Sequence, residues 1–146
     1  EVQSVIQYLL VRSGGGYYGV GTHQVLSVID GFELYPAPSA HPAVRGVTPI
    51  RDRLVPLIDL AGILTEGQVD ATQSETIVLA QTRNALIALH VDDACEVVSG
   101  TIEPVPGAWR LPWAAGVHEH EEKLVPIVDI EMLVDRLVPV SAREIV

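Results

Sequence analysis

The sequence predicts a mainly β protein assembled from small barrels, and three observations carry that prediction. The first is a doubled phrase. "GVTPIRDRLVPLIDL" runs from Gly46 to Leu60, and "GVHEHEEKLVPIVDI" from Gly116 to Ile130, an offset of 70. The second is the shape of the apolar runs, which are short, β-branched and punctuated by turn residues. The third is the supply of core residues. The chain is 48% hydrophobic but has only one Phe, two Trp and four Tyr. Its core must therefore be Val, Leu and Ile, which favours strands. Small barrels are a way to remove the unpaired edges that many short strands would otherwise expose.

In order, "VIQYLLV" (Val5 to Val11) is the first expected strand, and "SGGG" (Ser13 to Gly16) a reversal. "YYGV" (Tyr17 to Val20) and "VLSVI" (Val25 to Ile29) follow. "YPAPSAHPAVRG" (Tyr35 to Gly46) reads as a loop. "RLVPLIDL" reads as a strand, with Pro56 expected at an edge or a strand start because it cannot donate to a ladder. The linker-like stretch is "TEGQVDATQS" (Thr65 to Ser74). The order then repeats with "ETIVLAQ", "ALIALHV", "CEVVS", the loop "PVPGAWRLPWAAG" and the strand "KLVPIVDI". Setting Gly19 against Ala88 matches Val20 with Leu89, Val25 with Ala94 and Val28 with Val97, an offset of 69. Asp129 is placed to cap a short helix whose stripe is Ile130, Leu133, Val134 and Leu137. Leu60, Ile63 and Leu64 make a shorter version in the first copy. Leu86, Ala88, Val97 and Val98 are expected in the core, as is Val28.

At 146 residues the chain is one domain, or two small halves packed together. Its formal net charge of −10 and pI near 4.7 repel phosphate backbones and anionic lipid. Nucleic acid and membrane surfaces are therefore poor partners. A single Cys95 allows no intrachain disulfide and gives no sign of an oxidising compartment. No apolar run approaches the roughly 18 residues a membrane span needs. No signal peptide is visible in the sequence, which starts at Glu1 rather than Met, and the cytoplasm is the default expectation.

Catalytic chemistry is scarce. His118 and His120 form His-x-His, a spacing that can hold a metal on one strand face, but Glu119, Glu121 and Glu122 around them read as a solvated turn. His90 with Cys95 is a conceivable thiolate–imidazole pair, though Cys95 sits in an apolar run and reads as inert core. Asp92 and Asp93 read as turn residues. "SGGGYYG" joins two strands and so lacks the helix that a phosphate loop requires. Of Trp109 and Trp113, one is expected to plug the core while the other is a candidate exposed anchor. No catalytic residue, cofactor or metal is expected.

Taken together, "YLLVRSGGGYYGVGTHQVLSVI", "HPAVRGVTPIRDRLVPLIDL" and "LIALHVDDACEVVSGTIEPVPG" resemble the CheW family of bacterial chemotaxis adaptors from about Gln7 to Leu137. Pro42, Gly46, Arg51, Pro56 and Asp59 fall at the family's characteristic places. The resemblance implies two packed five-stranded SH3-like β-barrels with one or two short helices, within one domain spanning 1–146. The approximate halves are 17–68 and 75–137, with the N-terminal strand able to cross between them. It implies a non-catalytic adaptor coupling chemoreceptor cytoplasmic tips to the regulatory domain of a CheA-type histidine kinase. Arg51 matches the family's receptor-facing arginine, and Val25 an apolar position on the same surface. Two departures are Asp52 where the family has Gly and Pro49 where it has Asn. Because one such domain fills nearly the whole chain, a stand-alone adaptor is expected. The alternatives are the same domain cut from a larger kinase or adaptor–receiver fusion, or a small-barrel metal protein or enzyme using His118 and His120.

Overall fold

The apolar runs become ten strands and two short helices in a computed structural model that describes residues 4–36, 44–64, 72–83, 85–109 and 111–137. The first repeat unit contains β1 (Val5–Ser13), β2 (Gly16–Gly21), β3 (Val25–Asp30), β4 (Val44–Ile50), β5 (Arg53–Asp59) and α1 (Leu60–Leu64). The second contains β6 (Thr76–Gln81), β7 (Leu86–Val91), β8 (Asp93–Thr101), β9 (Ala114–His120), β10 (Lys123–Val128) and α2 (Ile130–Leu137). Pro42, the stretch 65–71 and the tail from residue 138 lie outside the described residues. The reversal between β1 and β2 turns on Gly14 and Gly15, at φ 59° and 85°, a region glycine enters without steric penalty.

The strands form two five-stranded sheets, ordered β8-β1-β2-β10-β9 and β3-β6-β7-β5-β4, whose margins are not hydrogen-bonded into closed cylinders. This corrects the division into contiguous halves 17–68 and 75–137. Each sheet takes the first two strands of one unit and the last three of the other. The crossing segment is the whole β1–β2 hairpin, not the N-terminal strand alone. The exchange is reciprocal to the residue. Tyr8 pairs with Gly21 as Ile77 pairs with His90, and Leu9 pairs with Val97 as Val78 pairs with Val28. Ile127 meets Gly19 in a parallel contact, and Leu57 meets Ala88 likewise. The offsets of 69 and 70 in the sequence are thus the register of a pseudo-two-fold fold.

Alternation along the strands divides the core into three. On β1, Tyr8 and Leu10 face the interior of the first sheet, while Leu9 and Val11 face the opposing sheet. On β6, Ile77 and Leu79 face the interior of the second sheet, while Val78 and Ala80 face the first. The shared central layer also takes Ile63 and Leu64 from α1, Leu133 and Val134 from α2, and Trp113. Trp113 is the plug; Trp109 is exposed.

Two expectations about strands need correction. Pro56 lies in β5, which is interior to its sheet. It is tolerated because the parallel ladder to β7 begins one residue later, at Leu57, so no bond on that side misses its N–H. Pro126 precedes Ile127 in the same way. Val97 and Val28 are not core: they are 56% and 43% exposed on the outer strands β8 and β3. An outer strand buries one face only, so apolar character there does not fix burial. Ala88 and Val98 are buried, and Leu86 is half-buried.

Candidate interaction site

Arg51 stands at the tip of the β4–β5 hairpin. Ile50 pairs with Arg53, leaving Arg51 and Asp52 as a two-residue loop. Arg51 is exposed, with φ 57°. The departure from the family pattern at Asp52 thus leaves the turn intact, but the left-handed residue is Arg51 itself. At the equivalent tip, His120 pairs with Lys123, and Glu121 and Glu122 take φ 49° and 65°. Arg51 and Glu121 therefore occupy matching places, both at positive φ, with opposite charge, although the second loop residues differ, Glu122 being at positive φ and Asp52 not.

Arg51 makes no ion pair with Asp59 among the described residues. Asp59, only 3% exposed, instead accepts the Thr72 N–H at 2.9 Å and the Thr72 hydroxyl at 2.6 Å. The guanidinium 4.0 Å from it belongs to Arg45. The Arg51 guanidinium is consequently presented outward on a short hairpin.

Val25 opens β3 and pairs with Ala80, next to the Gln81–Leu86 pair that ends the β6–β7 ladder. The register puts Val25 and the Arg51 hairpin at the same end of the sheet, with β3 and β4 as its two margins. Val25 is half-buried against the central core, as is its counterpart Ala94. The exposed apolar side chains of β3 are its neighbours Leu26, at 53%, and Val28. Leu26 is a β-bulge residue, an irregularity that alternation alone does not reveal.

The other candidates separate. "GVHEH" is strand rather than turn, and both imidazoles are half-buried on one face, stacked with centroids 6.3 Å apart. Nδ1 of His118 is hydrogen-bonded to the Tyr8 hydroxyl at 2.8 Å, and its Nε2 packs over Gly100, where a Cβ would clash with it. Both ring nitrogens of His118 thus face the protein. Among the described residues no group of three or more His, Cys, Asp or Glu is disposed to hold a metal ion. His90 is buried and bonds the Ser74 carbonyl at 2.6 Å. Cys95 is exposed on β8 rather than buried in the core, because it is the bulge residue equivalent to Leu26. Partial burial, then the Asp93 carboxylate, push its thiol pKa up, the wrong direction for a nucleophile. Asp92 accepts the Gly14 N–H at 2.9 Å and so serves the β1–β2 turn.

Two five-stranded sheets, an exposed hairpin tip and exposed apolar side chains on the outer strands define a β-rich domain with free surface on its margins. The CheW-like domain family matches residues 7–138, and the chain belongs to that family, whose members are non-catalytic chemotaxis scaffolds. It is 28% identical over 94 residues to a probable chemotaxis protein CheW of Rhizobium etli, covering 60% of this chain and 61% of that protein. It is 22% identical over 142 residues to the chemotaxis protein CheW of Bacillus subtilis, covering 93% and 91%. The crystal structure of the scaffolding protein TtCheW from Thermoanaerobacter tengcongensis superposes with a TM-score of 0.76 at 20% identity, covering 86% of this chain and 89% of that one. The domain is thus of the chemotaxis-scaffold type, a family that is non-catalytic. Among the described residues no helix is long and apolar enough to cross a membrane.

One group of residues escaped the sequence reading. Leu10, Tyr17, Cys95, Glu96, His120, Glu121, Lys123 and Val125 line a cavity of about 170 Å³ at one end of the first sheet. The signal lay in the repeat. At offsets of 69 and 70 their counterparts include Leu86, Leu26, Ile50 and Arg51, so several of the differences between copies meet at this place.

Proposed function

We propose that the chain is a cytoplasmic adaptor joining chemoreceptor cytoplasmic tips to the regulatory domain of a CheA-type histidine kinase. Arg51 and the apolar margin beginning at Val25 are the receptor-facing residues. The observation that carries this reading is the charge reversal between equivalent hairpin tips, Arg51 and Glu121, both at positive φ. A structural role imposed by the fold would recur in both units, whereas a docking role need occur only once. A guanidinium held clear of internal carboxylates offers a rigid fork of donors to carboxylates or helix-terminal carbonyls on a partner. The experiment is a pair of titrations of the intact protein, one with a soluble receptor-tip fragment and one with the kinase regulatory domain. Saturable binding to both is expected. Binding to neither overturns the adaptor reading.

A further inference from the structure

We infer that the end of the second sheet carrying Arg51, Arg53 and Arg83 docks an acidic segment of the receptor tip, with Arg53 and Arg83 as docking residues beside Arg51. The inference rests on the receptor-facing reading of Arg51 and adds the chemistry of the surface it meets. The β4–β5 hairpin brings the first two arginines to one tip, where Ile50 pairs with Arg53. β5 runs parallel to its neighbour β7, with Leu57 opposite Ala88. Following both strands back from that pair puts Arg53 level with the β6–β7 turn, which the Thr82 N–H closes on the Ala85 carbonyl at 2.8 Å. Arg83 lies in this turn, and its backbone N–H donates to a Glu131 carboxylate oxygen at 3.1 Å, which holds the turn against α2. Two adjacent turns at one sheet end thus present three exposed arginines.

That gathering runs against the composition. The chain has 9 Lys and Arg against 19 Asp and Glu, and three of those 9 cations stand here. Among the described residues none of the three guanidiniums has a carboxylate within ion-pair distance. The carboxylates at this end are Asp52, in the same tip, and Glu131, which is bonded to the Arg83 N–H. The local balance is positive. At the equivalent end of the first sheet the repeat places Glu121, Lys123 and Gly14. There Lys123 sits over the Tyr17 ring, 4.4 Å from the centroid, and Glu122 and Asp92 add negative charge. The fold therefore does not call for arginines at these positions. Salt screens charges more than roughly 10 Å apart, so at docking distance the three arginines outweigh the net charge of −10 on the whole chain. Guanidiniums suit carboxylates, which they hold through paired N–H donors. Apolar surface adjoins them. Leu54, next to Arg53, is 54% exposed, and Leu26, next to Val25 on the other margin, is 53% exposed. A phosphate polymer would leave those leucines uncovered and would meet the acidic remainder of the molecule. A protein segment carrying carboxylates beside apolar side chains fits both.

The test titrates the intact protein with a soluble receptor-tip fragment. Arg53→Gln/Arg83→Gln should keep the native amide spectrum, since both side chains are exposed, and should bind the fragment at least about tenfold more weakly. Arg12→Gln/Lys123→Gln changes the net charge equally on the other sheet and should shift that affinity by less than about twofold. Raising salt from about 0.05 to about 0.3 M should weaken wild-type binding more steeply than binding by Arg53→Gln/Arg83→Gln. Wild-type binding that Arg53→Gln/Arg83→Gln leaves unchanged, that the control variant weakens as much, or that shares the salt dependence of Arg53→Gln/Arg83→Gln overturns this inference alone. Absence of wild-type binding overturns the receptor-facing reading and this inference with it.

Discussion

The Tyr8 hydroxyl and Nδ1 of His118 share a hydrogen bond of 2.8 Å, tying the first strand to the ninth inside one sheet. The two rings also meet edge to face, with centroids 5.6 Å apart. Burial, then the charge of Glu96, push the tyrosine pKa up to about 12, so the hydroxyl keeps its proton well above neutral pH.

Alkaline titration follows from this pair. In the unfolded chain Tyr8 ionises near 10.0, and in the folded chain near 12. Between those values the unfolded state binds fewer protons, so stability falls as pH rises, by about 1.4 kcal/mol per unit from this group. Tyr8→Phe should flatten that window. At neutral pH the same variant should lose roughly 1–3 kcal/mol, because His118 is left without its hydrogen-bond partner. Urea unfolding at pH 7, 10 and 11 measures both effects.

Gly19 and Ala88 occupy equivalent places, yet they are not interchangeable. A Cβ on Gly19 would lie 2.6 Å from both Tyr8 Cδ1 and Ile127 Cδ1. Ala88 is tolerated because its sheet carries Ile77 where the first carries Tyr8. Gly19→Ala is expected to destabilise by about 1–3 kcal/mol through overpacking. Thermal unfolding checks it, and a neutral result would mean the Tyr8 ring has room to move.

The outer strand β8 gives a contrast between neighbours. Val98 is 7% exposed and Val97 56%. Val98→Asp should cost several kcal/mol by burying an unpaired charge. Val97→Asp should stay within about 0.5 kcal/mol of wild type. Equal losses would refute the assigned faces.

Asp59 and Asp129 share a place in the repeat but differ in burden. Asp129 caps α2 through the Met132 N–H at 3.1 Å and is only half-buried. Asp129→Ala is expected to cost about 0.5–2 kcal/mol. Asp59→Ala removes the partner of Thr72 and leaves Arg45 without its carboxylate, and should cost about 3–5 kcal/mol. Denaturant midpoints for the two variants check the order.

Much of this fold was legible. The offset of 69 that sets Gly19 on Ala88 reappears as identical ladder register in the two sheets. The helical stripe of Ile130, Leu133 and Val134 is buried as its spacing requires. Strand exchange was not legible, because a repeat states which residues are alike and not which copy pairs with which. Either pairing of hairpins with three-stranded units would leave the same pattern in the sequence. Val97 and Cys95 were misplaced for a local reason: one lies on the outer face of an outer strand and the other in a bulge. At the candidate site, the asymmetry of Arg51 and Glu121 was visible in the letters. The cavity beside Glu121 was hidden, since it depends on residues from five strands coming together.

The most direct test of the proposed function is a titration of Arg51→Ala against a receptor-tip fragment, with the kinase regulatory domain as the control partner. Arg51 is exposed, so the variant should fold with wild-type stability to within about 0.5 kcal/mol. Receptor affinity should fall by roughly 1–3 kcal/mol, as for an interface anchor, while kinase affinity changes less. Unchanged receptor affinity in a folded variant would contradict the docking role and leave Arg51 as a solvated loop cation.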